Sequence, residues 1–156
     1  MRLYLVRHGD ALAGADDHLR PLSARGRADI AELAAFLALR DIAPARIYHS
    51  GRLRALQSAQ VIALALGCTE RLAQTGGVGP EDSAQAFASG LTESAAELML
   101  VGHQPFLGRV ASILIRGSED APVVAMSTAS ALCLSRQRDC WLLEWLRRPS
   151  REDLAR

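Results

Sequence analysis

Residues 5–9 read Leu-Val-Arg-His-Gly, an apolar run that ends in a guanidinium, an imidazole and a glycine. A neutral imidazole is a nucleophile and a guanidinium offers paired donors to phosphoryl oxygens, so Arg7 and His8 together are suited to attack at phosphorus. The same side-chain classes recur at two later positions. Arg54 stands in the first turn expected of a helix capped by Ser50, and His103 follows Leu98-Met99-Leu100-Val101-Gly102. Two imidazoles and two guanidiniums around one small volume are favourable only about a multiply charged anion, and phosphate fits.

The elements that must position these groups can be read from periodicity and punctuation. Leu3 to Val6 is a short β-favouring run that opens into a loop at Gly9, where glycine lets a ligand approach the main chain. Residues 10–22 read as a loop. Ser23 is placed to cap a helix whose apolar stripe is Ile30, Leu33, Ala34 and Leu37 and which ends before Pro44. Arg46-Ile47-Tyr48 is a second strand; Ser50 is expected to cap the next helix, with Leu53, Leu56, Ala59 and Ala63 on one face and Gly67 as its stop. Residues 72–80 read as a flexible loop and 81–97 as a weakly patterned helix. Leu98 to Val101 is a fully apolar strand, and Pro105 opens a helix with Phe106, Val110, Ala111 and Leu114 buried. Val123-Val124, Ala131 to Leu134 and Trp141 to Leu143 read as strands, the last two joined by a polar turn from Ser135 to Asp139. The alternation predicts an α/β fold: a largely parallel sheet with an antiparallel C-terminal edge, sandwiched by helices. Ligands bind such sheets at the carboxyl ends of the strands, so Arg7, His8, Arg54 and His103 are expected to converge there.

Composition bounds the rest. At 156 residues the chain suits a single domain, expected over residues 1–149 with a charged tail at 150–156. The net charge of +1 argues against a nucleic-acid or membrane partner. All 18 basic side chains are arginine, which excludes Schiff-base chemistry and the lysine-dependent phosphate loop. Cys68, Cys133 and Cys140 show neither disulfide nor zinc-knuckle spacing, and no stretch has the length of a signal peptide or a membrane span, so a cytoplasmic protein is expected. His8, His18, His49 and His103 lack metal-ligand spacing and have arginine neighbours, which would repel a divalent ion. No cysteine begins an arginine-terminated phosphate loop.

The ordered set Leu5-Val6-Arg7-His8-Gly9, Arg20-Pro21-Leu22-Ser23 with Gly26, Ser50 with Arg54-Ala55 and Gln57, and Val101-Gly102-His103 with Pro105 resembles the histidine phosphatase superfamily. More narrowly, it resembles the short SixA-type phosphohistidine phosphatases, over nearly the whole chain. The resemblance implies a phosphoglycerate mutase-like three-layer α/β/α sandwich and phosphoryl transfer without metal or cofactor. It implies that His8 is the nucleophile, transiently phosphorylated, and that Arg7, Arg54 and His103 clamp the phosphoryl oxygens. Arg20 and Gly9 are expected to join the phosphate-binding wall.

Many larger members of that superfamily place a Glu or Asp as general acid after the second arginine or after the second histidine. Here those places hold Gln74, Thr75, Gly76 and Gln104. An alcohol leaving group needs a proton, whereas protonated phosphohistidine releases neutral imidazole, so an acid-poor pocket favours cleavage of a P–N bond. Asp10, Glu81 and Asp82 remain candidate acids. The expected substrate is a phosphorylated protein, such as a phosphorelay histidine domain. The alternatives are a small-molecule phosphomonoesterase or pyrophosphatase acting on a small phosphorylated substrate, and a module that binds phosphorylated ligands without turnover.

Overall fold

A computed structural model describes residues 1–91 and 96–150. In chain order the elements are β1 (Arg2–Arg7), α1 (Ala24–Ala38), β2 (Arg46–His49), α2 (Leu53–Ala65), β3 (Leu72–Gln74), α3 (Ala84–Gly90), β4 (Leu98–Gly102), α4 (Phe106–Arg116), β5 (Ala131–Gln137) and β6 (Cys140–Arg147). The strands form one sheet in the order β3-β2-β4-β1-β5-β6. Pairings among β3, β2, β4 and β1 are parallel, and β1 with β5 and β5 with β6 are antiparallel. This is the mostly parallel sheet with an antiparallel C-terminal edge.

Period-two alternation explains the layers. Tyr4 and Val6 of β1, Met99 and Val101 of β4, and Ala131 and Cys133 of β5 point to one face and pack with Ile30, Leu33 and Leu37 of α1 and Ile62 of α2. Leu3, Leu5, Leu100, Leu132 and Leu134 point to the other and pack with Phe106, Leu107 and Val110 of α4 and Ala84 of α3. Strands buried on both faces read as continuous apolar runs, as β1 and β4 do.

Two sequence-predicted caps form. Ser23 accepts from the Gly26 amide at 2.9 Å, and Gly67 follows α2 with φ of 65°. Four expectations are corrected. Residues 72–74 lie in the segment read as a loop, yet they form β3, paired parallel with Ile47, Tyr48 and His49; a three-residue edge strand is specified by its partner's amides more than by its own pattern. The helix read over 81–97 is α3, only Ala84–Gly90 and capped by Ser83, while residues 92–95 lie outside the described residues. Val123-Val124 is not a strand: the Val123 amide donates to Ser112 Oγ at 3.2 Å and both valines pack on the α4 side of the core. The hairpin turn is Arg138-Asp139, because Ser135, Arg136 and Gln137 pair with Leu142, Trp141 and Cys140. Polar residues on an edge hairpin mimic a turn in the sequence. Of the expected tail, residues 151–156 lie outside the described residues.

Register fixes the working rim. Arg7 pairs with Gly102, and His49 pairs with Val101, so β1, β4 and β2 end together.

Candidate active site

The backbone around His8 is held from four directions. Its amide donates to the Gly102 carbonyl at 3.1 Å, its carbonyl accepts from Ala129 at 3.0 Å, and the Arg7 amide donates to Ser130 O at 2.9 Å. The Gly9 amide donates to Ser58 Oγ at 3.1 Å, and that hydroxyl donates to Arg54 O at 2.7 Å. One serine therefore ties the loop after β1 to the first turn of α2, where Arg54 sits. Gly9 has a structural reason for its type: a Cβ there would lie 2.7 Å from Gly26 O and 2.9 Å from Ile30 Cγ1. Its missing side chain serves packing against α1.

The two rings adopt definite roles. His8 Nδ1 lies 2.7 Å from Gly9 O. A carbonyl only accepts, so Nδ1 carries the proton and Nε2 presents its lone pair. Arg54 Nε donates to that Nε2 at 3.3 Å. The His103 ring stands 5.0 Å from the His8 ring, centroid to centroid. Its Nε2 is 2.6 Å from Ser50 Oγ, and its buried Nδ1 has no hydrogen-bond partner among the described residues. Burial pushes the His8 pKa down to about 4, opposed by the Gly9 carbonyl and assisted by Arg54 and Arg7. Burial likewise pushes His103 down to about 3, with His8, Arg54 and Arg52 adding to the effect and Asp17 opposing it. Both imidazoles are neutral at neutral pH.

The guanidiniums are equally engaged. Arg7 Nη1 donates to Met126 O at 2.8 Å. Arg54, buried, donates from Nη1 to Asp17 O at 2.7 Å and pairs through Nη2 with the Asp17 carboxylate at 3.2 Å. Arg52 pairs with that same carboxylate. Arg20 reaches Asp17 Oδ1 at 3.1 Å and Leu12 O at 2.8 Å, so its donors brace the loop. The Arg20 hydrogen bond, then Arg54, hold the Asp17 carboxyl down to about 2 against partial desolvation.

A cavity of about 310 Å³ opens at this rim, lined by Arg7, His8, Arg20, Arg54 and His103 with Asp10, Ala11, Pro80, Gln104 and Thr128. The structure thus brings together Arg7, His8, Arg20, Arg54 and His103, whereas Gly9, expected in the phosphate-binding wall, packs against α1 and does not line the cavity. Of the three candidate acids only Asp10 reaches the wall, and its Oδ2 accepts from Ser23 Oγ at 2.6 Å. Asp82 instead accepts from the Gly79 amide at 2.7 Å, and Glu81 is exposed. Gln104 Oε1 accepts from the Gly108 amide at 2.9 Å. His49 closes a turn, accepting from the Gly51 amide at 3.1 Å, and His18 is exposed. Among the described residues no three His, Cys, Asp or Glu side chains form a metal-binding group.

Sequence reasoning missed Ser50, Asp17, Arg52 and Ser58. Ser50 was expected to cap α2, but Arg52 occupies that position without a side-chain cap, and the serine hydroxyl serves His103. Asp17 and Arg52 carried no signal, since a loop carboxylate and a loop arginine are ordinary surface residues until the fold juxtaposes them.

Comparisons with known proteins bear on the family and the fold. A model of the histidine phosphatase superfamily (branch 1) matches residues 3–75. An uncharacterized protein of Picosynechococcus sp. is 38% identical over 125 residues, covering 75% of this chain and 74% of that protein. The chain belongs to the histidine phosphatase superfamily. Within it, the SixA-type branch is the relevant one: phosphohistidine phosphatase SixA of Escherichia coli K12 is 28% identical over 139 residues, covering 86% of each chain. The solved structure of the protein histidine phosphatase SixA complexed with tungstate superposes with a TM-score of 0.87 at 22% identity, covering 97% of this chain and 99% of that one. That likeness shows the shared phosphoglycerate mutase-like fold. As a histidine phosphatase the protein is a hydrolase acting on phosphorylated substrates. No helix among the described residues is long and apolar enough to cross a membrane.

Proposed function

We propose that residues 1–149 form one catalytic unit that hydrolyses phosphohistidine on a cytoplasmic protein through a transient phosphohistidine at His8. His8 Nε2 attacks phosphorus, the P–N bond of the substrate breaks and its electron pair stays with the departing imidazole; water then releases phosphate from His8. Arg7, Arg54 and His103 hold the phosphoryl oxygens on which charge resides in the transition state. The donors of the wall are guanidiniums and imidazoles, which supports a reaction needing no metal. Free Cys68, Cys133 and Cys140 suit a reducing compartment.

The observation that carries the choice of substrate is the acid content of the cavity. Its one carboxylate, Asp10, already accepts a hydrogen bond, while Glu81 and Asp82 stand off the wall. Such a site suits a leaving group that needs no proton from the enzyme. The test is phosphate release from phosphohistidine protein, phosphoimidazole, nitrophenyl phosphate and a nucleotide, with chelator present. Faster release from the P–N substrates, and burst labelling lost in His8→Ala, are expected. Faster turnover of the esters would replace this reading with a small-molecule phosphomonoesterase or pyrophosphatase.

A further inference from the structure

Asp10 is the one carboxylate in a cavity whose other charged lining residues are Arg7, Arg20 and Arg54, and the fold holds it closely. Its carbonyl accepts from the Ser23 amide at 2.9 Å, and its Oδ2 accepts from Ser23 Oγ at 2.6 Å while that serine caps α1. The hydrogen bonds of the described residues engage Oδ2, not Oδ1. Asp10 lies against the N-terminus of a 15-residue helix, joined to it through the cap residue Ser23. A Cβ at Gly26 would run into the Asp10 backbone, so that helix turn reaches Asp10 only because residue 26 is glycine.

We propose that Asp10 determines leaving-group specificity: its carboxylate accepts the distal N–H of the substrate's phosphorylated imidazole and keeps that ring in the protonated form from which the P–N bond breaks. The inference rests on the phosphohistidine reading above. When His8 Nε2 bonds to phosphorus, the electron pair of the old P–N bond returns to the departing nitrogen. The ring leaves as neutral imidazole with its distal proton in place, and Asp10 stays ionised throughout. Without that proton the ring would have to leave as imidazolate.

The charges around Asp10 make the device necessary. Arg7, Arg20 and Arg54 line the same cavity with His8 and His103. Asp17 offsets Arg20, Arg52 and Arg54 from the loop side, and Arg25 and Arg27 of α1 are exposed. A cationic ring entering among guanidiniums tends to lose its distal proton, and an adjacent carboxylate reverses that tendency. An ester alcohol offers no N–H and needs a proton that an ionised Asp10 cannot give.

Asp10→Asn is isosteric and can still accept from Ser23, so it removes charge with little change of shape; thermal melting verifies its fold. kcat/KM is measured for phosphoimidazole and nitrophenyl phosphate across pH 5 to 9. The expected result is a fall of about tenfold in the phosphoimidazole-to-nitrophenyl ratio, with the alkaline limb for phosphoimidazole displaced by about one pH unit to lower pH. Ser23→Ala, which removes the tether together with the α1 cap and is likewise checked by thermal melting, is expected to lower the same ratio by less. Parallel losses on both substrates with an unmoved limb, or an unchanged ratio in both variants, overturn the role of Asp10 and leave the phosphohistidine reading intact. A wild-type enzyme that turns over nitrophenyl phosphate but not phosphoimidazole overturns that reading itself.

Discussion

Arg54 Nε donates to His8 Nε2 across 3.3 Å while its two other nitrogens hold the carbonyl and carboxylate of Asp17. The guanidinium is thereby fixed at both ends, with its Nε on the lone pair assigned to attack. Arg54→Ala is expected to lower kcat on the order of 10²–10³-fold, the usual loss when one donor to transition-state charge is removed. Arg54→Lys is expected to recover little of it, because a single ammonium cannot meet His8 and both Asp17 acceptors in one plane. Single-turnover labelling of His8 reads the effect directly, and a lysine variant within threefold of wild type would refute the planar-fork argument.

The depressed imidazoles make two measurable statements. The His8 ring is expected to titrate in the free enzyme near pH 4 and the His103 ring near 3, as followed by NMR of the ring protons. A midpoint at 6 or above for His8 would contradict a desolvated, arginine-flanked ring. The same shifts couple stability to pH. Both folded values lie below the ordinary histidine value of 6.5, so the unfolded chain binds more protons, and stability present above pH 6.5 is lost as pH falls toward 4. Melting temperature is expected to drop over that interval, and less steeply in His8→Asn and His103→Asn.

The four groups that meet at the rim were legible because each follows an element with a strong local signature. Leu3 to Val6 and Leu98 to Val101 are apolar enough to be central strands, and parallel neighbours must end on a common rim, so Arg7-His8 and His103 had to approach each other. Arg54 followed from its place at the start of α2. What stayed hidden depends on tertiary contact. Leu72–Gln74 becomes a strand only because β2 offers an open edge. Ser50 looks like any helix cap until the register of β2 and β4 brings His103 to its hydroxyl. The short loop turn at Asp17–Leu19 carries no periodicity, yet it delivers the carboxylate that three arginines share.

Ser50 supplies a prediction of its own. Its hydroxyl lies 2.6 Å from His103 Nε2, and that ring is almost wholly buried with Nδ1 otherwise unpartnered among the described residues. Ser50→Ala strands the nitrogen that the serine satisfied, at a cost of about 1–3 kcal/mol, and frees the ring to turn. Turnover is expected to fall about tenfold, consistent with that cost, while His8 still labels. Ser50→Thr, which keeps the hydroxyl, is expected to retain most of it; an alanine variant as active as the threonine variant would exclude Ser50 as the residue that positions His103.

Gly26 tests whether space or propensity governs the junction between α1 and Asp10. Alanine is the better helix former by about 1 kcal/mol, so in open space Gly26→Ala would stabilise the first turn of α1. A Cβ there, however, would penetrate the Asp10 carbonyl and crowd its amide at 2.8 Å. These are backbone atoms, which cannot rotate aside as a side chain can. The Ser23 hydrogen bonds hold them on one side and the packing of Gly9 on Gly26 O holds them on the other. Overpacking of this kind typically costs about 1–3 kcal/mol and outweighs the propensity gain. Gly26→Ala is expected to melt several degrees below wild type, roughly the shift such a loss gives in a chain of this size, and to lose phosphatase activity as Asp10 and His8 are pushed from the cavity wall. Gly76→Ala, where a Cβ meets nothing within 4 Å, serves as the control and is expected to leave melting unchanged. A Gly26→Ala protein as stable as the Gly76 control would show that α1 can slide away from Asp10, and the tight seating of the loop after β1 would no longer explain how His8 is held.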